Sequence, residues 1–142
     1  MFDQARYEAE FRLLKRKLPD DIWRFCDLNG SRPYLAMAVK TRFDSLYTIQ
    51  IELERFPNAV PKVFVTKMLK DRAGNNLERG LSAMHTLPSE HGWTRICHYG
   101  PESWTPMVSL YLIYIKAALW LNAYELHLRS GKPMEYYLNH QK

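Results

Sequence analysis

Cysteine is scarce, with Cys26 and Cys97 the only two in 142 residues. Two thiols cannot build the multi-bridge framework of a small secreted domain, although one bridge stays open, and a reducing cytoplasm is the expected compartment. Tight metal-ligand pairs of the Cys-x-x-Cys or His-x-x-x-His kind are missing. Long apolar runs are missing as well. The most apolar stretch, Met107 to Leu121, is broken by Ser109 and Lys116 and is short for a bilayer span, so it reads as a buried helix. The opening residues Met1 to Arg6 are polar where a signal peptide carries its apolar region. With no repeat, low-complexity tract or linker, a single domain over residues 1–142 is expected.

What is present suits a packed chain. Hydrophobic residues make up 46% and charged residues 25%, which excludes the apolar-poor composition of a disordered segment. The formal net charge of +5 mildly favours acidic partners, but it is spread along the chain. Its densest patch, Arg12, Lys15, Arg16 and Lys17, falls on a helical pattern, where a solvated or protein-docking face outweighs nucleic-acid binding.

The apolar spacing from Asp3 to Leu18 predicts an amphipathic helix stopped by Pro19-Asp20. Strands are predicted over Ile22–Leu28, ending at the hairpin signal Asn29-Gly30, then over Tyr34–Thr41 and Leu46–Glu54. A turn with two prolines, Phe56-Pro57-Asn58-Ala59-Val60-Pro61, precedes a fourth short strand at Val63–Val65. From Lys67 to Tyr99 the periodicity fades into a long loop region, and loops of that length in a compact domain are usually functional. Thr105-Pro106 then opens a long helix running to about Ser130, with Gly131 and Pro133 as its stop. The expected fold class is α+β: a helix, a four-strand antiparallel meander, a long irregular stretch and a long helix packed on the sheet.

Chemistry concentrates at Cys97. A buried cysteine is most often packing, and Cys26, beside Phe25 in a strand pattern, fits that role. Cys97 instead ends the long loop, where Arg95, His98 and the positive end of the last helix are expected to favour its thiolate.

These segments together resemble the ubiquitin-conjugating enzyme superfamily over most of the chain. The aromatic-Pro turn and following strand appear as Phe56 to Val65, the histidine before the active site as His85, and the Gly-x-Ile-Cys-Leu motif as Gly92, Ile96, Cys97 and His98 with two extra residues inserted. Trp104-Thr105-Pro106 stands for Trp-Ser-Pro. The resemblance implies that Cys97 forms a thioester, that His85 shapes the active-site loop and that Trp104 and Pro106 support it. His98 is the nearest candidate base by sequence. The family's His-Pro-Asn is replaced by His85-Thr86-Leu87, so the oxyanion donor is absent from its usual place, with Thr86, His98 or a backbone amide left as substitutes. Compact links and Trp120-Leu121-Asn122-Ala123-Tyr124-Glu125 look like bacterial members of CBASS anti-phage operons. The resemblance then implies as partners a protein substrate, either a cGAS/DncV-like nucleotidyltransferase or a ubiquitin-like protein, and a separate activating enzyme. It implies no membrane, cofactor or metal.

Three other readings stay open. A metal site would use His85, His91, Cys97 and His98. A cysteine hydrolase would pair Cys97 with a histidine, without an orienting Asp or Asn that the sequence can assign. A binding module would keep the fold without catalysis, using Tyr111, Tyr114, Trp120, Tyr124, Tyr136 and Tyr137 as an interface, although at helical spacing core packing accounts for most of them.

Overall fold

The structure, a computed structural model, describes residues 3–100 and 102–140. Helix α1 (Gln4–Lys17) begins where the Asp3 carboxylate accepts the Arg6 N–H at 3.1 Å, filling one of the open donors of a helix start. Its last turn holds Lys15, Arg16 and Lys17, where positive charge complements the helix dipole. These three and Arg12 are exposed, while Glu10 and Leu14 are the buried residues of α1.

Six strands follow in one antiparallel sheet: β1 (Trp23–Cys26), β2 (Tyr34–Lys40), β3 (Leu46–Glu52), β4 (Val63–Val65), β5 (Thr86–Glu90) and β6 (Trp93–Ile96). Their order is β1-β2-β3-β4-β6-β5. The first four make the expected meander, but the count of four is corrected to six. The added pair comes from the stretch expected to be loop. Its turn is His91-Gly92, with φ of 62° and 72°, the two left-handed residues that a two-residue hairpin needs. Pro88 lies in β5 and the ladder is irregular between Leu87 and Glu90, which hides the period of two. An outermost strand tolerates a residue without an N–H. At Asn29-Gly30 the chain does turn, but the left-handed residue is Asp27, whose carbonyl accepts the Gly30 N–H at 2.9 Å.

The long helix α2 (Leu110–Ser130) begins later than Thr105-Pro106. Arg6 donates to the carbonyls of Pro106 and Val108, and Glu10 accepts the Leu110 N–H at 2.8 Å. Residues Thr105 to Val108 therefore close only a local turn, and Ser109 caps the helix by accepting the Leu112 N–H at 3.1 Å. Replacing Glu10 by alanine leaves the buried Leu110 amide and the Arg6 guanidinium without this acceptor. A loss of about 2–3 kcal/mol is expected in urea denaturation, with faster amide exchange at Leu110.

Gly131 (φ 79°) ends α2, and after Pro133 the chain forms α3 (Met134–His140), where only a short tail was expected. Met134 is fully buried and anchors α3 to the core. That core lies between one sheet face (Leu35, Met37, Ile49, Ile51) and α2 (Ile113, Ala117, Leu121). Trp120, Leu121, Tyr124 and Glu125 are all buried on α2. Trp120 Nε1 donates to Met84 O at 3.0 Å, the Tyr124 hydroxyl donates to Lys70 O at 2.6 Å, and the Tyr47 hydroxyl donates to Glu125 at 2.8 Å. The Trp-Leu-x-x-Tyr-Glu pattern thus ties the helix to the sheet and to two loops. Among the described residues no helix is long and apolar enough to cross a membrane.

Candidate active site

Cys97 follows directly on β6, and its N–H donates to His85 O at 2.9 Å. This bond extends the β5–β6 ladder beyond the Thr86–Ile96 pair. His85 aims its carbonyl there from a left-handed backbone (φ 53°) at the end of a short 3-10 turn, Ser82–Met84. Cys97 is half-buried, and among the described residues its Sγ forms no hydrogen bond. Cys26 lies on β1, with β2, β3 and β4 between it and β6, so both thiols are free.

Cys97 lines a cavity of about 160 Å³ together with His85, His98, Lys116, Trp120 and Glu135. A larger cavity of about 500 Å³ opens on the outer sheet face near Glu52, Lys62 and Trp93, but no thiol lines it. His91 belongs to that outer face, packed on the rings of Phe64 and Trp93 and 3.9 Å from Glu52. The four ligand-type residues His85, His91, Cys97 and His98 therefore do not converge. Among the described residues no group of His, Cys, Asp and Glu is arranged to hold a metal.

His98 donates from Nε2 to Pro61 O at 2.8 Å, which fixes its neutral tautomer and leaves Nδ1 buried and without a partner. Burial, which outweighs the Pro61 bond, and the nearby charges of Arg95 and Lys116 push its pKa down to about 4. At neutral pH it is an uncharged hydrogen-bond acceptor, so the expectation that it supplies positive charge to the thiol is corrected. Arg95 is engaged with Glu90 at 3.7 Å. The first turn of α2 is already occupied by Glu10 and Ser109. What remains is Lys116, a cation in the cavity wall that the sequence showed only as a break in an apolar run.

Of the other expected residues, His85 lines the cavity with Cys97, whereas Trp104 and Pro106 do not. His85 Nε2 lies 2.7 Å from Glu135 of α3, an acidic partner that the sequence did not suggest. Trp104 donates from Nε1 to Pro57 O at 3.0 Å and packs edge-on against Phe56 and Tyr99. Pro106 presents its carbonyl to Arg6, locking the segment to α1. Thr86 is buried, and its hydroxyl donates to Arg79 O while accepting the Leu81 N–H, so it has no donor to offer an oxyanion. Comparison with protein-family profiles, curated sequences and solved structures finds no match for this chain.

Proposed function

We propose that the chain is a ubiquitin-conjugating-enzyme-like carrier of the bacterial type, in which Cys97 holds a protein C-terminus as a thioester and passes it to an amine or to water. The supporting observation is convergence. Residues 57, 61, 85, 97, 98 and 104, drawn from separate parts of the sequence, are joined by three hydrogen bonds. His85 O binds the Cys97 N–H, Pro61 O binds His98 and Pro57 O binds Trp104. The histidine and the cysteine motif thus meet at one cavity, and the proline turn is bonded both to that motif and to the Trp104 segment.

The chemistry follows from residue types. A thiolate attacks an activated acyl carbon, and the resulting thioester reacts readily with amines. Neutral His98, with its Nδ1 buried, is too weak a base to keep a proton at neutral pH, so the amine's proton goes to solvent. A partner of the cGAS/DncV-like class rests on the Trp-Leu-x-x-Tyr-Glu pattern alone. Its four fixed side chains are engaged in packing, so the pattern supports the fold more than the partner.

One observation favours a second reading, the cysteine hydrolase. His85 and Glu135, 2.7 Å apart, line the cavity with Cys97 and supply the base and orienting carboxylate that the sequence could not assign.

A thioester trap separates the two. The chain would be co-expressed with the products of its neighbouring genes and run on gels with and without reductant, alongside Cys97→Ser and Cys26→Ser. The carrier reading expects a reductant-sensitive adduct that Cys26→Ser keeps and Cys97→Ser loses or converts to a stable ester. Rapid release of a free tail without adduct favours hydrolysis. No adduct and no release from a folded chain rejects both.

A further inference from the structure

Acyl transfer at a thiol passes through a tetrahedral intermediate whose carbonyl oxygen becomes an anion, and a site that speeds it needs a donor aimed there. Most donors around Cys97 are committed. The Cys97 amide binds His85 O, His98 Nε2 binds Pro61 O and Trp120 Nε1 binds Met84 O. Arg95, 3.7 Å from Glu90, does not line the cavity.

Lys116 is different. It lines the same 160 Å³ cavity as Cys97, and among the described residues it forms no ion pair, although Glu135 lines that cavity too. Its ammonium stands 5.1 Å from the centre of the Tyr99 ring, a cation–π contact that fixes the long side chain. It is also close enough for its charge to help keep His98 unprotonated. A lysine one turn before Trp120, inside a helix stretch that is otherwise apolar, carries its charge where packing alone would favour a methyl group.

We infer that Lys116 is the catalytic cation of this site, binding the oxyanion formed when an acyl group enters or leaves Cys97. The inference rests on the carrier reading for its biological substrate and on the cavity alone for its chemistry. The Cys97 thiol gives its proton to water, and the resulting thiolate attacks the carbonyl carbon of an acyl thioester supplied by an activating protein. A C–S bond forms and the carbonyl electron pair moves to oxygen, beside the Lys116 ammonium. The pair then returns, the bond to the donor's sulfur breaks, and the departing thiolate takes a proton from water. Lys116 thereby occupies the role left open by the absent asparagine.

The test compares two electrophiles on the purified chain, with Cys26→Ser in every sample so that one thiol is read. Acylation by p-nitrophenyl acetate passes through an oxyanion, whereas alkylation by iodoacetamide at a saturated carbon does not. In Lys116→Met and Lys116→Gln, acylation is expected to fall at least about tenfold while alkylation changes less than about threefold, as for loss of one oxyanion donor. Lys116→Arg is expected to restore most of the acylation. Equal slowing of both reactions, no slowing of either, or a wild-type Cys97 that does not acylate overturns the inference. A lost tail adduct in the thioester trap with Lys116-dependent acylation intact would reject the carrier reading and leave this one standing.

Discussion

Trp120→Ala is expected to lose about 3–5 kcal/mol of folding stability, the range for deleting a large buried aromatic side chain. Trp120 is 2% exposed and stacks on Tyr124 with ring centres 5.3 Å apart. Alanine would leave a void beside the 160 Å³ cavity at Cys97, because Trp120 forms part of that wall. It would also leave Met84 O without the indole donor. Met84 immediately precedes His85, whose carbonyl holds the Cys97 amide, so the loss should reach the thiol. Trp120→Phe separates the two effects. It keeps most of the ring's burial and removes the N–H, for an expected loss of about 1–2 kcal/mol. Urea denaturation measures both variants, and iodoacetamide rates on the folded chains report on Cys97. A Trp120→Phe chain as stable as wild type would show that the Met84 bond adds nothing. Unchanged thiol reactivity in both variants would disconnect Trp120 from the site.

The sequence showed β2 and β3, in which buried and wetter positions alternate along seven residues. In β3 the buried Tyr47, Ile49 and Ile51 alternate with Leu46, Thr48 and Gln50, and that period of two is readable by eye. The hairpin β5–β6 was hidden for local reasons. Its turn uses His91-Gly92 in place of Asn-Gly, and Pro88 breaks the pattern of its outer strand. The start of α2 was misplaced for a tertiary reason. Thr105-Pro106 has the right cap chemistry, and Thr105 Oγ1 does accept the Met107 N–H at 3.2 Å, but Arg6 and Glu10 hold the following backbone. Nothing near residue 106 in sequence announces a partner 100 positions earlier.

The site was legible as far as its motifs reached. Cys97, His85, His98 and Trp104 were singled out by order along the chain; the first three line one cavity, and Trp104 lies outside it, bonded to Pro57 and packed on Tyr99. Lys116 was passed over because it sits on a helix whose packing accounts for its neighbours. A charge inside an apolar helix stretch was the available signal for Lys116. Burying it against a solvent-free face would be costly, so it implied an opening in the core at that point. For Glu135 there was no signal, since α3 was read as tail and its return to His85 depends on the left-handed Gly131.

His98 should make this chain acid-labile by an amount that one substitution removes. In the unfolded chain its imidazole takes a proton near its ordinary value of 6.5, while burial in the folded chain holds it down to about 4. Between those values the unfolded state binds more protons, so stability falls as pH falls. The contribution from neutral His98 is fully present above about pH 6.5 and is lost progressively toward pH 4. From pH 7.5 to 4.5 the loss amounts to roughly 2–3 kcal/mol. Carboxylates elsewhere also titrate in this range, but they are shared by wild type and His98→Gln and cancel in the difference between them. The variant is expected to be less stable at pH 7.5, because Pro61 O loses its best-placed donor, and to lose less than wild type on acidification. Denaturation curves at the two pH values measure this, and equal acid losses in both chains would show that His98 titrates normally. The same burial sets its chemistry: an imidazole that stays neutral down to about pH 4 is not a proton carrier at neutral pH.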